Sequence, residues 1–206
     1  MRLLELDKDN TKDILSIAVE LLKNGGTIAY PTETFYGLGA KFDSDDALRK
    51  IYKIKQRPHD KAMPLIIGER DLLPVIAVGV SRTASDLMDT FWPGPLTLIL
   101  PARENISEYI TAGTHTIAVR IPGESFALRL AQAAHFPITA TSANLSGLPP
   151  ARDIETVLGY FGDRIDLIID AGPTPGGLPS TIVDARGSAL KILREGVIGR
   201  KSLEGL

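Results

Sequence analysis

LIIDAGPTPGGLPSTIVDARGSALKILREG, residues 167–196, decides what kind of sheet this chain builds. Three runs rich in β-branched and aliphatic residues, near 166–170, 180–184 and 190–194, are separated only by GPTPGGLP and ARGS. Segments this short and this rich in Gly and Pro hold no crossover helix, so strict βαβ winding is excluded here. Both linkers read as turns joining neighbouring strands. Further upstream the pattern changes. Strand-like runs near 27–30, 64–67, 96–100, 116–121 and 137–140 alternate with helical periodicity near 45–55, 81–90, 125–134 and 153–160. Asn10 reads as the N-cap of an earlier amphipathic helix carrying Ile14, Leu15, Ala18, Leu21 and Leu22, and Gly25 ends it. The expected fold is α/β, a single domain over 1–206 whose twisted sheet mixes parallel and antiparallel strands between flanking helices. The tail at 199–206 reads as frayed.

Composition narrows the chemistry. A chain of 206 residues with 44% hydrophobic and 23% charged content is ordered and long enough for one sizeable core. No apolar run approaches the roughly 18 residues of a membrane span, and MRLLELDKDN lacks a signal-peptide pattern, so a cytoplasmic protein is expected. With no cysteine, disulfides, Cys-ligated zinc, iron–sulfur clusters and thiol nucleophiles are excluded. A net charge of −2 argues against a nucleic-acid coat but leaves room for a local basic patch.

Polar groups gather where the apolar runs end. YPTETFYGLGA, 30–40, brings two threonines, a glutamate and two aromatics to a paired-glycine turn. KIKQRPHDKAMPL places Lys53, Lys55, Arg57 and Lys61 at a helix exit with only Asp60 opposing them. Such cations either cap the helix dipole or hold a polyphosphate. In TATSANLSGLP, Ser142, Asn144 and Ser146 either satisfy their own turn or present hydroxyl and amide groups to a ligand. Arg120 ends the otherwise apolar TIAVRIP, where a guanidinium needs an anionic partner. Ser180, Thr181 and Arg194 close the set. FWPGPLTLIL reads as structural, with Pro93 and Pro95 fixing a turn and Trp92 in the core. There is no G-x-S-x-G elbow, no G-x-G-x-x-G after a strand, no metal-spaced histidine pair, and the P-loop lysine position in GPTPGGLPST is Leu178. No protein-held metal is expected.

Seven of these motifs (GGTIAYPTETFYGLGA, KIKQRP, FWPGPLTLIL, TIAVRIP, ATSANLSG, PSTIVD and ILREGVI) stand in the order and spacing of the YrdC-like threonylcarbamoyl-AMP synthase family. The chain resembles that family from about 11 to 198, in its short, single-domain form. The resemblance implies a concave basic cleft and a nucleotidyltransferase that makes L-threonylcarbamoyladenylate and pyrophosphate from L-threonine, bicarbonate or CO2, and ATP, with Mg2+ carried by the nucleotide. The product then goes to the tRNA threonylcarbamoyl transferase complex. It further implies that Lys55 and Arg57 are catalytic, that Lys55, Arg57, Ser142, Asn144 and Arg194 bind ATP, and that Thr32, Arg120 and Ser180 bind threonine. Glu33 is left open between the substrate ammonium, magnesium and a capping role. Two-domain relatives place a histidine near threonine where this chain has Gly68, and restoring it is expected to tighten threonine. The alternative reading is an RNA-binding module of the same fold without adenylation activity, gripping tRNA or double-stranded RNA by its phosphates.

Overall fold

The computed structural model describes residues 1–187 and 190–203. In chain order the elements are β1 (Arg2–Glu5), α1 (Thr11–Lys23), β2 (Ile28–Pro31), β3 (Tyr36–Gly39), α2 (Asp45–Lys55), β4 (Leu65–Ile66), α3 (Leu73–Ile76), α4 (Arg82–Phe91), β5 (Leu96–Pro101) and α5 (Glu108–Thr111). They continue with β6 (Thr116–Arg120), α6 (Phe126–Ala134), β7 (Ile138–Thr139), β8 (Thr141–Ser142), α7 (Ile154–Phe161), β9 (Leu167–Asp170), β10 (Thr181–Asp184), β11 (Lys191–Arg194) and α8 (Arg200–Leu203).

Pairing is mixed, as expected, but the strands divide between two sheets. One runs β1-β9-β2-β3-β8 and the other β11-β10-β5-β6-β4-β7. The ARGS linker does join antiparallel neighbours, β10 and β11, although Ser188 at its end and Ala189 just after it lie outside the described residues. GPTPGGLP does not. β9 pairs parallel with β1 and β2, whereas β10 pairs parallel with β5. The segment between them is thus a crossing from one sheet to the other, with Gly172, Gly176 and Gly177 at positive φ.

YGLG also differs from the expected turn. It is strand β3, antiparallel to β2, with Tyr30 directly opposite Gly37. Added Cβ atoms at Gly37 and Gly39 would meet the Tyr30 ring at 3.1 and 2.9 Å. Both glycines are therefore needed for the ring to lie across the strand, an aromatic covering a weak glycine pair.

Local sequence chemistry sets the helices. Ser81, Ser125 and Asp153 cap α4, α6 and α7 by accepting from Ala84 N, Leu128 N and Thr156 N. Asn10 precedes α1 but makes no side-chain cap; its amide is turned back to Glu5 O and Asp7. Gly25, at φ 77°, follows the C-cap as expected. Trp92 is buried and donates to Leu96 O at 2.7 Å, in keeping with a core role. The tail is not frayed as far as it is described, because α8 buries Leu203. Among the described residues, no helix is long and apolar enough to cross a membrane.

Candidate active site

Both sheets contribute to the wall of a cavity of about 510 Å³. Tyr30, Thr32, Thr34 and Tyr36 reach it from β2, β3 and their connection, and Thr141 and Ser142 from β8. Thr97, Arg120, Ile182 and Arg194 come from β5, β6, β10 and β11, while Arg57 follows α2 and the sheet-crossing segment supplies Gly177, Pro179 and Ser180. Among the described residues, the wall carries three arginines and no carboxylate. A chain that is slightly acidic overall therefore encloses a cationic space.

Two of those arginines are oriented by neutral groups. Arg57 donates to Lys61 O (3.0 Å), Ala62 O (2.5 Å) and Thr141 Oγ1 (3.4 Å), and its guanidinium lies 5.9 Å over the Tyr52 ring. Arg194 donates to Ser180 O at 2.8 Å and to Ser180 Oγ at 3.2 Å. Burial, and then the nearby Arg120 charge, press the Arg194 guanidinium below its ordinary pKa. An anionic ligand would relieve both effects. Arg120 is paired, its Nη1 donating to Glu33 Oε1.

The residues read as ligands from sequence fall into two groups. Arg57, Ser142, Arg194, Thr32, Arg120 and Ser180 all line the cavity. Lys55 and Asn144 do not. Lys55 is 1% exposed and donates inward to Ser142 O (2.5 Å), Asn144 O (2.7 Å) and Asn144 Oδ1 (3.3 Å). Asn144 Oδ1 also accepts from Ser142 Oγ at 2.5 Å, and its amide nitrogen donates to Leu145 O and Leu148 O. The lysine and the asparagine thus brace the turn that presents Ser142. Burial, followed by the charge of Arg57, brings the Lys55 pKa down to about 7.

Thr32 stands on the wall with its hydroxyl already committed. It donates to Phe35 O at 2.7 Å and accepts from Thr34 N and Phe35 N, so it shapes its own loop. Gly68 lies off the wall, against α6. A Cβ there would sit 2.5 Å from the N and Cα of Gln132 and 2.7 Å from Ala131 C. The expectation that a histidine at 68 tightens threonine is therefore corrected, because the backbone of α6 occupies its space.

Sequence reading missed Thr97 and Thr141 and left the role of Tyr36 open. Thr97 Oγ1 is 2.9 Å from Ser180 Oγ, tying β5 to the residue that precedes β10. A lone threonine inside LTLIL was the available signal. Tyr36 donates to Gly172 O at 2.8 Å and accepts from Ala171 N at 3.1 Å, fixing the start of the sheet-crossing segment. Burial pushes its phenol up to about 12, so it remains protonated at neutral pH. Among the described residues, no group of three or more His, Cys, Asp or Glu is placed to hold a metal ion.

Two mixed sheets thus meet at a cavity whose wall, among the described residues, carries three arginines and no carboxylate, an arrangement suited to holding an anion. The chain belongs to the Sua5–YciO–YrdC family, whose profile, described as "Telomere recombination", matches residues 20–196. It is 38% identical over 190 residues to a threonylcarbamoyl-AMP synthase of Pyrococcus abyssi, covering 92% of this chain and 56% of that protein. The corresponding figures for the threonylcarbamoyl-AMP synthase of Bacillus subtilis are 40%, 92% and 55%. The fold is similar to a crystal structure of P. abyssi Sua5 complexed with L-threonine, with a TM-score of 0.90, 36% identity, and coverage of 99% of this chain and 59% of that one. The chain spans little more than half the length of these relatives.

Proposed function

We propose that this chain makes L-threonylcarbamoyl-AMP, pyrophosphate and water from L-threonine, bicarbonate and ATP. The observation that carries this reading is the cavity wall itself, where Arg57 and Arg194 are fixed by neutral acceptors and, among the described residues, left without an acidic counter-charge. Both reacting partners are anions, a carbamate oxygen and the α-phosphorus of ATP. Their approach needs charge neutralisation and alignment more than a nucleophilic side chain. Arg57, Arg194 and Ser142 would take the phosphates, and Arg120 the threonine carboxylate, with Ser180 beside them. The carbamate oxygen forms the new bond to the α-phosphorus as the bond to pyrophosphate breaks.

Among the described residues the wall offers no carboxylate cage for a resident Mg2+, so magnesium entering with ATP would be held by phosphates and water. No step here depends on it. The product is an activated carbamoyl group, suited to delivery to the tRNA threonylcarbamoyl transferase complex in the cytoplasm. The names of the relatives, and the threonine in the Sua5 complex, support this reading over an RNA-binding module. Pyrophosphate release measured with each substrate omitted in turn tests it. Release should require threonine and bicarbonate together; equal release without threonine would refute the reading.

A further inference from the structure

Ser180, Thr181 and Arg194 stand together in the sequence reading, yet Thr181 does not reach the cavity wall that the other two line. It opens β10, fully buried, with its amide donating to Pro95 O at 2.9 Å. Its hydroxyl is used to capacity, donating to Ile198 O at 2.7 Å and accepting from Gly196 N at 2.9 Å and Ile198 N at 3.0 Å. All three bonds go to the stretch that leaves β11 just after Arg194. Val197 N adds a fourth tie, to Pro179 O at 3.1 Å. The fit admits no side chain at 196, where a Cβ would stand 2.1 Å from Pro179 O and 2.7 Å from Ser180 C.

On its other side Arg194 is set by a bulge. Ile182 pairs with Arg194 but Val183 with Ile192, so Leu193 is an extra residue on β11. Opposed residues of a ladder share a face, and Ile182 lines the cavity. Without the extra residue, Leu193 would stand opposite Ile182 in place of the arginine. The bulge thus selects Arg194 for the wall, and the Thr181 hydroxyl ties down the backbone just beyond, where the β10–β11 ladder has ended. Between these two fixed points the guanidinium reaches Ser180 O and Oγ. We infer that Thr181 is a positioning residue for Arg194, and that its buried hydroxyl, by clamping 196–198 onto 179–181, holds the guanidinium where a phosphate can meet it. The inference rests on the nucleotide-binding reading above and adds to it a residue that touches no ligand. Valine has the same shape as threonine but would strand two N–H groups and a carbonyl, and the clamped stretch would lift from β10.

The test is ATP binding by calorimetry, with threonine and bicarbonate left out so that no turnover occurs. Thr181→Val should weaken ATP by about tenfold or more, while Thr181→Ser, which keeps the hydroxyl and loses only the methyl, should stay within about threefold of the parent. Arg194→Ala separates positioning from general loosening. If the hydroxyl acts through the arginine, adding Thr181→Val to Arg194→Ala should cost less than about twofold more. A serine variant as weak as the valine one, losses that multiply in the double variant, or parent-like binding by Thr181→Val each overturns the inference alone. Where the valine variant does not fold, the parent decides. Coupling is reciprocal, so saturating ATP should slow hydrogen exchange at the Gly196 and Ile198 amides by about fivefold or more, and unchanged exchange there overturns the inference. A parent that does not bind ATP overturns the nucleotide reading and this inference together.

Discussion

Replacing Lys55 with methionine removes an ammonium whose three protons all have acceptors inside the protein, while leaving a side chain of similar length. In the folded state the lysine titrates near pH 7 instead of at its ordinary 10.5. Between those values the unfolded chain binds a proton that the folded chain does not, so stability must rise with pH across that window. A displacement of that size corresponds to at most about 5 kcal/mol. The oxygens of Ser142 and Asn144 favour the ammonium and oppose the shift, which reduces the expected rise to about 1–3 kcal/mol. Urea unfolding of parent and Lys55→Met from pH 6.5 to 9.5 measures it. The parent should gain stability on the methionine variant as pH increases. Adenylation by the variant should fall by about two orders of magnitude, because Ser142 is no longer held in place. A lysine extended to phosphate in the cavity would keep its ordinary pKa, so parallel stability curves, with activity lost, would refute the bracing role.

Other perturbations follow from the same geometry. Gly68→His should cost about 3 kcal/mol in stability through its clash with the backbone of α6, seen as a lower thermal midpoint with no gain in threonine affinity by calorimetry. Asp166 accepts from Thr27 N (2.8 Å), Thr27 Oγ1 (2.8 Å) and Lys50 Nζ (2.7 Å). Burial would raise its pKa, yet Lys50 and Thr27 outweigh burial and hold it below the ordinary value. The stability it contributes is therefore present above the unfolded carboxylate pKa and lost as pH falls through the folded one. Asp166→Ala should cost about 1–2 kcal/mol at pH 7, chiefly by stranding the buried Thr27 N–H, and should flatten the acid limb of the stability curve. Arg120→Ala should weaken threonine binding at least tenfold with ATP binding unchanged, and Lys should restore only part, because it lacks the guanidinium fork.

Helix periodicity, cap residues and β-branched runs are local properties, and they located α1, α2, α4, α6, α7 and the longer strands from sequence. Although β4 and β7 fall within the runs at 64–67 and 137–140, β3 and β8 were out of reach, since β8 follows β7 after a single residue and β3 is half glycine. Their extended form comes from partners far along the chain: Ser142 across from Gly37, and Tyr30 covering the glycines. The division into two sheets was hidden for the same reason. GPTPGGLP satisfies the chemistry of a turn, and only the pairing of β10 with β5 makes it a crossing. The site followed the same rule. Sequence alone determined that lysine, arginine, serine and asparagine recur at short spacing beside strand ends, a pattern that left capping and anion binding both open. It did not determine which of them face the cavity. Lys55 closes α2, and Gln56 then takes the left-handed conformation at φ 52°, turning the chain before Arg57. Two cations separated by one residue are thereby parted, one into the protein beneath the Ser142 turn and the other onto the cavity wall. The turn that receives Lys55 lies 87 residues further along the chain, so packing, not spacing, assigns the two roles.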